Sequence, residues 1–166
     1  AAPRRARRLS AGVEGGTQTR PGRLVVILLI RHGRAGKRSA WAGDDSLRPL
    51  DTKGRRQAAA LPKLLAGFGI ERILSSPYRR CVETVEPLAA DLNLDVEQRP
   101  ELAEGADAVD VGRLLNEVGR TTVALCTHGD VIAGLIGAGR KAEKGSVWVI
   151  EAAHRSPVQY LVDPTS

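Results

Sequence analysis

The sequence predicts a three-layer α/β/α sandwich around a mostly parallel sheet. Three observations predict it. Uniformly apolar runs, Leu24 to Ile30 first among them, suit strands buried on both faces. Such runs alternate with segments of helical periodicity, which implies right-handed crossovers and helices on both sides of the sheet. Polar residues followed by glycine stand directly after two of the strands, at the edge where sheets of this class bind ligands.

Taken in order, Leu24 to Ile30 is the first strand. After a polar loop, Thr52 is a candidate cap for a helix running through Gln57 and Leu64 to about Ala66, with Gly67 as its stop. Arg72 to Ser75 is a short strand. Pro77 suits the first turn of a helix that continues through Val82, Val85 and Leu88 before Asn93. Leu94 to Glu97 reads as a strand, Asp107 to Val118 as a helix, Thr121 to Cys126 as a buried strand and Gly129 to Ala138 as a short helix. Val147 to Glu151 and Val158 to Val162 are two final strands suited to antiparallel pairing.

A chain of 166 residues fits one folded domain, expected over residues 23–166. Residues 1–22 lack apolar periodicity and are read as a flexible basic arm, or as the remnant of a linker to an upstream domain. The net charge of +6 resides mostly there: Arg4, Arg5, Arg7, Arg8, Arg20 and Arg23 lie in the first 23 residues, so the folded body is close to neutral. With only five aromatic residues the body offers no basic face interleaved with stacking rings, which argues against a nucleic-acid role. Cys81 and Cys126 sit in apolar segments as buried thiols, and no CxxC or HExxH spacing suggests a metal. No signal-peptide pattern is present and the longest apolar run is too short to cross a bilayer, so a cytoplasmic location is expected. The absence of methionine implies that the numbering begins after a translation start.

Two of the three histidines follow buried strands directly: His32 in Leu-Ile-Arg-His-Gly and His128 in Cys-Thr-His-Gly. The glycine after each lets the backbone turn sharply or approach a bound group. The segment Ser75-Ser76-Pro77-Tyr78-Arg79-Arg80 leaves a third strand and enters a helix, where free N–H groups and arginine forks suit an anion. His154, in a polar turn, is expected to be inert.

These three segments, in this order and spacing, resemble the histidine phosphatase superfamily, also called phosphoglycerate mutase-like, over roughly residues 24–162. The resemblance implies that His32 is the nucleophile, that Arg31 and Arg80 bind phosphate, and that His128 is the second histidine. Arg80 takes this place over Arg79 because the Ser-Ser-Pro-x-x-Arg pattern falls on it. Arg38 stands where many relatives carry a phosphate-contacting asparagine, and either contacts phosphate or forms exposed ion pairs. Glu104 lies where the proton donor is expected, with Glu101, Asp44 and Asp45 as substitutes. Short length and the Arg48 to Gly54 stretch are similar to the compact SixA branch. The Trp41 to Asp45 segment resembles the phosphatase domain attached to some actinobacterial MutT-type Nudix hydrolases, although no Nudix box is present. Trp41 suits either a loop anchor or a platform for a base.

The implied activity is metal- and cofactor-independent hydrolysis of a small phosphoester, with a nucleotide among the candidates in view of the Nudix likeness, or of a protein phosphohistidine, through a phosphohistidine on His32. A neutral imidazole, with an ordinary pKa of about 6.5, is nucleophilic near neutral pH. Arginines and a charged second histidine spread stabilisation over the equatorial oxygens. Alternatives are mutase-type phosphoryl transfer and, in a different class, a non-catalytic phosphate-binding regulatory module. The last is disfavoured because binding alone needs no nucleophile.

Overall fold

The computed structural model describes residues 24–163, so the arm predicted over residues 1–22 lies outside the described residues. Six strands form one sheet: β1 (Val26–Arg31), β2 (Arg72–Ser75), β3 (Val96–Gln98), β4 (Val123–Thr127), β5 (Val147–Glu151) and β6 (Ser156–Leu161), in the order β3-β2-β4-β1-β5-β6. The pairs β3–β2, β2–β4 and β4–β1 are parallel, and β5 turns back against β1 and pairs antiparallel with β6. The sheet is therefore mixed, with the parallel part predicted from the buried runs and an antiparallel hairpin at one edge. Helices α1 (Thr52–Leu64), α2 (Arg79–Leu92), α3 (Ala108–Val118) and α4 (Gly129–Ile136) complete the three layers.

Alternation along β1 assigns the layers. Val26, Leu28 and Ile30 point into one core with Leu61 of α1 and Cys81, Val85 and Leu88 of α2. Ile27 and Leu29 point into the other with Val111, Leu114 and Leu115 of α3 and Val131, Ile132 and Ile136 of α4. Each strand residue in turn serves opposite faces, so a strand buried on both sides must be apolar throughout.

Several boundaries differ from expectation for identifiable reasons. Helix α1 is capped by Asp51, whose Oδ1 accepts from the Gly54 N–H, and Thr52 is its first residue. Asp51 takes the cap because its Oδ2 also accepts from Arg34 and Gly36, tying the preceding loop to the helix start. That helix ends at Leu64, and Gly67, at φ +85°, makes the turn that follows. Helix α2 begins at Arg79 with Pro77 outside it, because Tyr78 is extended and its N–H points to Ser76 Oγ. At the other end Asn93 adopts the left-handed conformation that closes the helix. Helix α4 stops at Ile136, where Gly137 has φ +98°. Strand β6 begins earlier than predicted and includes Pro157, which is tolerated because β6 is an edge strand.

Candidate active site

Register brings the histidines together. Arg31 of β1 pairs with Thr127 of β4, so the next residues, His32 and His128, leave neighbouring strand ends side by side. The His32 N–H donates to the Thr127 carbonyl at 3.1 Å, and the ring centroids lie 5.2 Å apart with planes inclined at 62°. Strand β2 flanks β4 in the same direction, and the Ser76 N–H bonds the Cys126 carbonyl at 2.9 Å, which delivers the Ser76 to Arg80 segment to the same edge.

The His32 ring is oriented by its own backbone. Its Nδ1 lies 2.8 Å from the Gly33 carbonyl oxygen. A carbonyl only accepts, so Nδ1 donates, and in the neutral ring Nε2 keeps a free lone pair. Burial pushes the His32 pKa down to about 3; His128, Arg80 and Lys144 act in the same direction, and the Gly33 carbonyl opposes them. Glycine at position 33 is required by close approach, since a Cβ there would stand 2.9 Å from the Gly54 carbonyl oxygen. The Gly33 N–H donates to Thr84 Oγ1, whose hydroxyl donates to the Arg80 carbonyl, so α2 and the loop after β1 are locked together.

His128 is 1% exposed. Its Nδ1 lies 3.4 Å from Arg80 Nη2, and because a guanidinium only donates, Nδ1 accepts in this arrangement. Its Nε2 then carries the proton and donates to Ser76 Oγ at 2.9 Å. Cys81 Sγ is 3.5 Å from the same nitrogen, and the Tyr78 ring packs edge-on at 4.8 Å between centroids.

Two arginines approach the pair. Arg80 is 1% exposed, lies over the Tyr78 ring at 4.7 Å, and contacts the Asp45 carboxylate at 3.0 Å and Glu104 at 3.2 Å. Arg31 is half-buried and donates from Nη1 to the Ala142 carbonyl. Its guanidinium packs against Gly129, where a Cβ would stand only 3.0 Å from Cζ. Among the described residues, the buried side-chain nitrogens without a hydrogen-bond partner are the Nε atoms of Arg31 and Arg80. Buried donors are rarely left unpaired, so two of them on guanidinium groups beside a histidine pair mark a place for an anion.

The structure also places the remaining sequence candidates. Arg38 is exposed and bridges Asp45 at 3.0 Å and Glu104 at 2.6 Å. Glu104 Oε2 accepts from both Arg38 and Arg80. Arg48, which is buried, holds Asp45 well below the usual carboxylate range with help from Arg38 and Arg80, against the opposing effect of burial. Asp44 caps the short turn Asp45–Leu47, and Glu101 bonds Arg99. Trp41 donates from Nε1 to the Asp44 carbonyl, as a loop anchor does. His154 is an exposed partner of Glu151. Among the described residues, no group of three or more His, Cys, Asp or Glu is arranged to hold a metal, and no helix is long and apolar enough to cross a membrane.

Sequence reasoning missed the loop Ala142 to Ser146. The Gly145 N–H bonds the carbonyls of Arg31 and His32 at 3.0 and 3.2 Å, and the Arg31 N–H bonds Ser146 at 3.0 Å. Buried Gln57 clamps the loop, donating to the Lys144 carbonyl while accepting from the Arg34 N–H. In the sequence, Gly145 before an apolar strand is the one signal of this loop.

The chain is similar to known phosphatases in sequence and fold. A family model described as the histidine phosphatase superfamily (branch 1) matches residues 27–107. The 8-oxo-(d)GTP phosphatase of Mycolicibacterium smegmatis is 41% identical over 162 residues, covering 87% of this chain and 50% of that protein, so the chain spans about half the length of this relative. The phosphohistidine phosphatase SixA of Escherichia coli is 32% identical over 117 residues, covering 66% of this chain and 71% of that protein. The solved structure of the protein histidine phosphatase SixA complexed with tungstate aligns with a TM-score of 0.66 at 24% identity, covering 82% of this chain and 96% of that one.

Proposed function

Because this chain belongs to the histidine phosphatase superfamily, we propose that it is a metal-independent phosphatase that transfers a phosphoryl group to His32 and then to water. The observation that carries the reading is the pair of buried guanidinium nitrogens without a hydrogen-bond partner, on Arg31 and Arg80, beside a His32 whose Nδ1 is held by the Gly33 carbonyl.

In the proposed reaction His32 Nε2 attacks phosphorus as the bond to the leaving oxygen or nitrogen breaks, forming a phosphohistidine. Arg31, Arg80 and His128 surround the phosphoryl oxygens, where transition-state charge is greatest. Water then attacks the phosphohistidine, releasing phosphate and restoring the imidazole. Glu104 acts first as an anchor that aims Arg80, since its Oε2 already accepts from two guanidinium groups. A proton-donor role would fall to its other oxygen. Arg38 contributes charge at the rim and holds Glu104.

The substrate is a small phosphoester or a protein phosphohistidine. A nucleotide is supported by the relative named 8-oxo-(d)GTP phosphatase, and a phosphohistidine by the SixA relative. A cytoplasmic location is part of this proposal, as nucleotides and phosphohistidine proteins are intracellular substrates.

His32→Ala is expected to abolish turnover of p-nitrophenyl phosphate, while a chelator leaves the wild-type rate intact. Brief incubation with a radiolabelled substrate should yield an acid-labile, base-stable protein phosphate in the wild type alone. Turnover retained by His32→Ala removes the proposal.

A further inference from the structure

Lys144 stands apart from the other cations of the site. Arg38, Arg48 and Arg80 all bond Asp45, and Arg38 and Arg80 also bond Glu104. Lys144 is half-buried within electrostatic reach of His32, Arg31, Arg48 and Arg80, and the acid that acts on it, Asp51, is already bonded to Arg34. Burial, then Arg31, Arg48 and Arg80, lower its pKa from the ordinary lysine value. The lysine is nevertheless held there: Gln57 bonds its carbonyl, and Gly145 beside it is bonded to the backbone of Arg31 and His32. At Gly145 (φ +79°) a Cβ would come within 2.9 Å of the Gln57 side chain, so the clamp admits only glycine. A half-buried cation on a clamped backbone, lying among other cations and, among the described residues, without a carboxylate at ion-pair distance, suits an anionic part of a ligand.

Charge and leaving-group chemistry indicate which part. Arg38, Arg48 and Arg80 pair with the carboxylates of Asp45 and Glu104, and with Arg31 and Lys144 beside them this group carries an excess of three positive charges. A phosphomonoester brings about two negative charges, and an adjoining internal phosphate adds about one more. Asp45 is held ionised and Glu104 Oε2 accepts from two guanidinium groups, so neither is arranged as a ready acid for an alkoxide. A phosphate leaving group, with a second pKa of about 6, needs no such acid.

Building on the phosphatase reading, we propose that Lys144 binds the internal phosphate of a terminal diphosphate, so that the site prefers organic diphosphates to simple monoesters. His32 Nε2 takes the terminal phosphoryl as its bond to the bridging oxygen breaks. The organic monophosphate leaves with that oxygen and its charge, held by Lys144. Water then hydrolyses the phosphohistidine to inorganic phosphate, with release of one proton.

The test compares kcat/KM for GDP and for p-nitrophenyl phosphate in the full chain, its Lys144→Gln variant and its Lys144→Arg variant. Only the backbone carbonyl of Lys144 is clamped, so both variants should fold, and thermal melts check this. The wild type should prefer GDP. Lys144→Gln should lower the GDP-to-p-nitrophenyl phosphate ratio about tenfold or more, chiefly through KM, as the loss of a charge-assisted contact requires. Lys144→Arg should keep most of the preference. Equal proportional losses on both substrates, an unchanged ratio, or a wild type that turns over p-nitrophenyl phosphate but not GDP each overturns the assignment of Lys144 and leaves the phosphatase reading standing. A wild type that releases phosphate from neither compound overturns both.

Discussion

The proposed nucleophile, His32, is set in one tautomer by its own surroundings. The Gly33 carbonyl selects the His32 tautomer, and burial keeps the ring uncharged well below the pH at which an exposed imidazole would protonate. The same burial has a thermodynamic consequence. Between about pH 6.5 and about 3 the unfolded chain binds a proton at His32 that the folded chain excludes, so stability must fall as pH falls through that window. The slope from this residue approaches about 1.4 kcal/mol per pH unit. His32→Asn, which cannot titrate, should flatten the dependence of the unfolding midpoint on pH between 6 and 4. An identical slope in wild type and variant would show that His32 is not the group responsible. Asp45 and Asp51 contribute in the same direction but at lower pH, since their partners hold them below the ordinary carboxylate range.

Among the elements, the start of α4 matters most to the site. His128 is its N-cap and Gly129 its first residue, and the missing side chain of Gly129 makes room for the Arg31 guanidinium. Gly129→Ala places a methyl group 3.0 Å from Arg31 Cζ, yet alanine is a better helix former than glycine. The variant is therefore expected to melt within a few degrees of the wild type but to lose about tenfold to a hundredfold in kcat/KM, because misplacing a phosphate-binding group by an ångström is costly. Parallel losses of stability and activity would point to general damage instead. Such close approaches also explain why element ends were less legible than element types. Thr52 and Pro77 have the right chemistry for helix starts, but Asp51 and Tyr78 occupy the cap positions because loop contacts and Ser76 Oγ decide where the helices begin.

For the whole molecule, the site joins all three layers: the carboxyl ends of β1, β2 and β4, the first turns of α2 and α4, and the loop before β5. A ligand gripped at that junction should stabilise the entire fold. Inorganic phosphate at a hundred times its dissociation constant is expected to add about 2.7 kcal/mol, a shift of several degrees in the melting temperature for a domain of this size. Arg80→Ala should abolish the shift, and its persistence would place the anion elsewhere. The sequence by itself determined the alternating layers, the parallel core of the sheet and the order of the strand-end motifs, because burial on two faces and turn chemistry are local constraints written in residue type and spacing. It also pointed to Arg31, His32, Arg80 and His128 as neighbours. Only the tertiary structure decided the tautomers of the two rings, the ties of Arg38 and Glu104 to Asp45 and Arg80, the need for Gly129 and the standing of Lys144. Each of these depends on groups that meet through space from distant parts of the chain, where charge, close approach and hydrogen bonding have no counterpart in local sequence pattern.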